Sequence, residues 1–175
     1  MTRYVALLRA VNVGRRRVAM ATCRGVLADL GYDDVESYVN SGNLMFDASG
    51  GSAALEKKIR AALEAEYDFE LTTFVRTAAQ IRTLVEAKPF GTVEPPNTHF
   101  VLFPLTKMTA AETKAVEDMS NDHDELLIRG RDVHWLIHAK STETTLGPKE
   151  WRDALPDNTT TARNMTMLTK LAERL

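Results

Sequence analysis

The strongest constraint on this chain is the order in which its hydrophobic periodicities follow one another along the first half. Arg3 to Val11 is an apolar run that ends at Asn12-Val13-Gly14, the pattern of a buried strand and a turn. Met20, Cys23, Val26, Leu27 and Leu30 then recur at helical spacing, with Gly31 as the stop. Val35 to Asn40 alternates as a strand, Ser41-Gly42 is turn chemistry, and Asn43 to Asp47 reads as a further strand. After the loop Ala48-Ser49-Gly50-Gly51-Ser52, the residues Leu55, Ile59, Leu63 and Tyr67 mark a long amphipathic helix, and Phe69 to Val75 alternates again. Strand, helix, strand, strand, helix, strand is the split βαβ, or ferredoxin-like, order.

The rest of the chain reads as a shortened version of that order. Thr77-Ala78-Ala79-Gln80 has capping-box spacing ahead of a stripe of Ile81, Leu84 and Val85, and Pro89 ends that helix. Gly91 to Pro96 is a loop and a candidate junction. Thr98 to Leu105 predicts a strand, and Thr109 with Glu112 a second capping box. Leu126 to Ile128 and Val133 to Ile137 flank a Gly130-Arg131 hairpin turn. Thr144 to Asn158 reads as loop with one helical turn near Trp151. A final helix carries Met165, Leu168, Ala172 and Leu175, with Thr159 to Asn164 at its start. The expected architecture is α+β: a ferredoxin-like (βαββαβ) unit over residues 1–76 and a smaller α+β half over 77–175, packed as one compact body.

Composition excludes several classes. With 175 residues, 44% of them hydrophobic, a chain of this size supports a core without staples. Its one cysteine, Cys23, makes neither an internal disulfide nor a multi-cysteine zinc site. No apolar run is long enough to span a membrane, and the start lacks a secretory pattern. The expected location is therefore the cytoplasm.

A net charge of −2 hides an asymmetry. Arg3, Arg9, Arg15, Arg16, Arg17 and Arg24 face one acid, Asp29, in the first thirty residues, whereas Glu112, Glu117, Asp118, Asp122, Asp124 and Glu125 cluster around Lys114. A basic end suits an anion; such runs are also ordinary solvated faces. Three segments supply polar groups at turns. Asn12-Val13-Gly14-Arg15-Arg16-Arg17 presents N–H groups and guanidinium forks, but it is neither a P-loop nor a dinucleotide fingerprint. Tyr38-Val39-Asn40-Ser41-Gly42-Asn43 offers amides and a hydroxyl, groups that in turns usually bond their own backbone. Arg163 and Asn164 stand where a helix N-terminus would attract anions, or where an arginine would make a structural ion pair.

No nucleophile–base pair or paired-carboxylate signature is visible, so whether the chain is an enzyme is left open, and no cofactor is named. His134 and His138 are four apart in a strand pattern, too far for a shared metal, and no metal is expected. His99 and His123 stand alone, and Cys23 lies on an apolar stripe. The strands corresponding to an RNA-binding platform lack its aromatics, which argues against nucleic acid.

Three segments together carry a family resemblance: Tyr4 to Gly14, Tyr38 to Phe46, and Thr161-Ala162-Arg163-Asn164. In this order they resemble the bacterial domain-of-unknown-function family 1697, over almost the whole chain. The resemblance implies an α+β fold with a ferredoxin-like unit and names no reaction. Ala10 and Arg15 stand where the family has glycines, and Met165 where an aromatic often follows the Arg-Asn pair.

The expectation is a small anionic ligand, nucleotide-like or phosphorylated, held by Arg9, Asn12, Gly14, Ser41, Asn43, Arg163 and Asn164. This requires the three segments to converge. The alternative is a structural or protein-interaction module in which Arg9 and Arg163 form structural ion pairs and the charged faces meet a partner or a second copy. Weak nucleic-acid binding through Arg15-Arg16-Arg17 is a third reading.

Overall fold

The computed structural model describes residues 1–9, 11, 14, 17–39 and 41–175. Among them the chain forms two antiparallel four-stranded sheets and six α-helices. It divides into two compact units, Met1–Leu84 with Leu171–Leu175, and Val85–Lys170.

The first unit contains β1 (Thr2–Leu8), α1 (Met20–Asp29), β2 (Asp33–Ser37), β3 (Asn43–Ala48), α2 (Ser52–Tyr67) and β4 (Thr73–Thr77), and the first turns of α3 (Ala78–Ala87). Its sheet runs β2-β3-β1-β4. The apolar run of β1 suits an inner strand, with β3 on one side and β4 on the other, both antiparallel. Tyr4, Ala6 and Leu8 share a face with Leu44, Phe46 and Val75, and pack with Met20, Cys23 and Leu27 of α1 and Leu55, Ile59 and Leu63 of α2. The i, i+4 spacing of the α2 residues puts them on one stripe, which is why the helix lies on the sheet. Two α2 carboxylates also reach the chain around β4. Glu56 Oε2 accepts the Val75 N–H at 2.8 Å, and Glu64 Oε1 accepts that of Leu71 at 2.9 Å. Backbone donors on an edge strand are thereby occupied.

The second unit follows the same order. The end of α3 leads to β5 (Thr98–Pro104), α4 (Ala110–Glu117), β6 (Asp124–Arg129), β7 (Asp132–Ile137), α5 (Pro148–Ala154), β8 (Thr160–Asn164) and most of α6 (Met165–Ala172). Its sheet runs β6-β7-β5-β8, so β5 takes the inner place that β1 has in the first unit. Leu102, Val116, Leu126 and Val133 form its core with Leu146, Ala154 and Leu155.

Two local expectations change. Thr160–Asn164 is an edge strand, not the start of a helix, and the helix begins at Met165. Its run of threonines favours extended backbone, and β5 offers a free edge to pair with. The helical turn near Trp151 extends to a seven-residue helix, with Pro148 at its first turn and Glu150 accepting the Gly147 N–H.

One buried carboxylate organises the second unit. Asp124 is fully buried and accepts from Trp135 Nε1 (2.8 Å), Thr144 Oγ1 (2.6 Å), Thr145 N–H (2.8 Å) and Thr145 Oγ1 (2.7 Å). It ties the segment after β7 to the β6–β7 pair. Burial alone would raise its pKa, but these donors outweigh burial and hold it below the usual aspartate value. Its contribution to stability is therefore present above the unfolded-state pKa and lost as pH falls through the lower folded value. Asp124→Ala should cost on the order of 3 kcal/mol in urea unfolding at neutral pH, because it leaves buried donors unpaired. Asp124→Asn should lose less stability than the natural chain between pH 7 and about pH 3.

Candidate functional site

The sequence-selected residues fall into both units. In the first, the segments around Arg9 and Ser41 meet. Leu8 donates its N–H to Gly42 O at 2.8 Å, and Arg9 donates to Thr72 O at 2.9 Å. Gly42 has φ 77°, and a Cβ there would lie 2.9 Å from Leu8 Cβ and 3.1 Å from a Val11 methyl, so the close approach requires glycine. Asn43 is buried, and its amide donates to Ser41 Oγ at 2.8 Å and Tyr38 O at 3.1 Å. Asn43 thus knits the turn together. Arg9 and Gly14 are exposed, and the Gly14 carbonyl accepts from Arg17 Nη1 at 2.9 Å. Asn12, Ala10 and Arg15 lie outside the described residues, as do Val13, Arg16 and Asn40. The turn also carries Val39 at φ 49°, and Arg174 lies over the Tyr38 ring while pairing with Glu36 at 3.1 Å.

In the second unit, Arg163 and Asn164 do different things. Arg163 is 8% exposed; its Nη1 donates to Thr161 Oγ1 at 2.8 Å and to Ala162 O at 2.9 Å. Burial lowers its pKa to about 10, which leaves it charged at neutral pH. Arg76 repeats this arrangement in the first unit. It stands beside Val5 as Arg163 stands beside Val101, is buried, and donates from Nη1 to the carbonyl of the preceding residue, Val75, at 3.1 Å. Asn164 Oδ1 instead accepts the Thr166 N–H at 2.8 Å and caps α6.

Asn164 also lines a cleft of about 350 Å³ that lies within the second unit. The strands explain its position. The start of β5 lies opposite the end of β8, so Asn97, Thr98 and His99 come beside Asn164, Thr166 and Thr169. Lys88, just beyond α3, supplies a cation, and none of the lining residues is a carboxylate. The cleft is polar and positively biased.

His99 joins the cleft to the sheet. It is 7% exposed, its Nε2 lies 3.1 Å from His134 Nδ1, and its ring meets Phe90 edge-on. Burial, with His134 adding to it, brings His99 down to about 4; burial and then the charge of Arg129 bring His134 to about 4. Both are neutral near pH 7. Sequence reading treats His99 as isolated and finds His134 and His138 too far apart along a strand to share a metal. The structure joins His99 to His134 and sets His138 against Glu125 at 3.3 Å. The signal for His99 and His134 was strand register, which spacing along the chain does not reveal. Lys88 and Asn97 sit in a Pro- and Gly-rich stretch and carried no periodic signal. Cys23 is buried, its Sγ 3.8 Å from Tyr67 Oη, and burial pushes its thiol pKa up, as for an inert core residue. No described helix is long and apolar enough to cross a membrane.

Comparison with known proteins agrees with this picture of the fold. A solved structure, described as that of a conserved bacterial protein from Streptococcus pneumoniae, matches with a TM-score of 0.75. It is 24% identical and the match covers 100% of this chain and 98% of that one, a likeness of fold. No curated protein matches. The sequence model of the family described as "Protein of unknown function (DUF1697)" matches residues 1–134, and the chain belongs to that family.

Proposed function

We propose that the protein binds a small anionic ligand in the cleft of its second unit. The observation that carries this reading is the lining: Lys88, Asn97, Thr98, Asn164, Thr166 and Thr169 offer a cation and neutral polar groups, with no carboxylate to repel an anion. The volume, about 350 Å³, is at the lower end of small-molecule sites. A phosphorylated or carboxylated metabolite suits it by chemistry and size. In this reading Asn164 orients the ligand and Lys88 neutralises it. Arg9, Asn12, Gly14, Ser41 and Asn43 would serve the same ligand only where the three segments converge.

The ferredoxin-like assignment belongs to the same reading. It is supported by the order β2-β3-β1-β4 with antiparallel pairs, and by its repetition as β6-β7-β5-β8. A cytoplasmic setting in a bacterial cell accords with the free, buried Cys23. One observation favours a structural role for Arg163. Its burial, and its repetition at Arg76, suit a side chain that holds the strand leading into a helix.

These roles separate by experiment. Millimolar sulfate or phosphate should raise the thermal midpoint, since a ligand at about 100 times its Kd contributes about 2.7 kcal/mol. Lys88→Met should abolish most of that rise while leaving the ligand-free midpoint close to that of the natural chain. Absence of any shift with sulfate, phosphate and small carboxylates would remove the cleft reading. Arg163→Ala should lower the ligand-free midpoint by several degrees, because a buried hydrogen-bonded cation is deleted. A variant of normal stability that has lost ligand binding would return Arg163 to the site.

A further inference from the structure

His99 and His134 come together through register. Val101 pairs with both His134 and Arg163, so the three share one row and one face of the sheet, and His99 is two residues along β5 on that same face. From there His99 reaches back diagonally to His134 Nδ1 at 3.1 Å, and the residue is part of the cleft lining. Phe90 holds the ring edge-on. Three cations lie near the pair: Lys88 on the cleft, Arg163 on β8, and Arg129 on β6, which acts on His134. The same sheet face also carries Asp132, two residues before His134 and opposite Arg129, and Glu125, opposite Leu136 and 3.3 Å from His138. The cleft lining brings no carboxylate.

A hydrogen bond between two imidazoles needs one N–H and one lone pair. When His99 donates from Nε2, His134 Nδ1 accepts, and the second ring nitrogen of His99 keeps a lone pair. A proton added there turns that nitrogen into a donor without breaking the bond to His134. Without an anion, burial of the ring and the charge of Lys88 on the cleft oppose this added charge. An oxyanion in the cleft supplies the opposite charge and an acceptor.

We propose that His99 is a ligand-contacting residue of the cleft, and that an oxyanion enters together with one proton that His99 carries. The proton comes from solvent, adds to the free ring nitrogen of His99, and returns to solvent when the anion leaves; no bond of the ligand is made or broken. His134 is a positioning residue that fixes the ring through Nδ1. The inference rests on the proposed cleft and adds the ligand class: a group with at least one anionic acceptor oxygen.

Sulfate is the probe, because its own charge does not change across the range used. Its association constant for the natural chain should rise at least about fivefold from about pH 8 to about pH 5.5, within the limit of tenfold per pH unit for one coupled proton. Calorimetry in two buffers of different ionisation enthalpy should show proton uptake approaching one per sulfate as pH falls. His99→Gln should flatten the pH profile. Lys88→Met should weaken binding at every pH and keep the slope. Sulfate binding to the natural chain with no pH slope and no proton uptake would overturn the role of His99 and leave the cleft reading intact. A slope that persists in His99→Gln would also overturn it. Absence of sulfate binding at every pH would overturn both. The buffer comparison uses the natural chain, so it decides the matter even where a histidine variant folds poorly.

Discussion

Strand β5 is hydrogen-bonded on both sides, to β7 and to β8, and this double pairing decides what meets what in the second unit. One register sets Val101 opposite His134, and the other sets it opposite Arg163. A slip of one residue in either would turn those side chains to the opposite face of the sheet. The cleft depends on the same pairing, because the start of β5 and the end of β8 meet only in an antiparallel arrangement. The polar groups of Asn97, Thr98 and Asn164 come together for that reason, although far apart in sequence.

The two units use one plan with different fillings. Each has an inner strand with a partner on either side, and each places a buried arginine one residue before the end of its last strand. Each then passes directly into a capped helix. Thr77 and Gln80 form a reciprocal cap on α3, and Asn164 caps α6. The differences lie around these shared parts. The first unit invests in a large apolar core and in the tight Gly42 turn. The second has a smaller core, pins a long connection through Asp124, and keeps a polar cleft.

Much of the element order was legible because it rests on local periodicity. Leu55, Ile59, Leu63 and Tyr67 announce α2 whatever lies around them, and Thr109 with Glu112 marks the start of α4 in four residues. Strand β8 was not legible. Its threonines, Ala162 and Arg163 lack apolar alternation, and the stripe of α6 begins at the next residue, so the two patterns merge. The site was partly legible. By its position before an apolar stripe Asn164 reads as part of a helix start, whereas the structure makes it the last residue of a strand, capping the helix that follows. The charge of Arg163 suggests an anion contact, but the side chain is buried and two short-range bonds occupy its Nη1. The link between His99 and His134 spans 35 positions and depends on which strands are neighbours, information that no local pattern holds.

The most direct test of the cleft is to follow backbone amide resonances by NMR during a sulfate titration. Saturable shifts at Asn97, Thr98, His99, Thr166 and Thr169, with those of Ser41 to Asn43 unchanged, are what the account predicts. Shifts confined to the residues around Arg9 and Ser41, or none along the cleft at saturating sulfate, would contradict it.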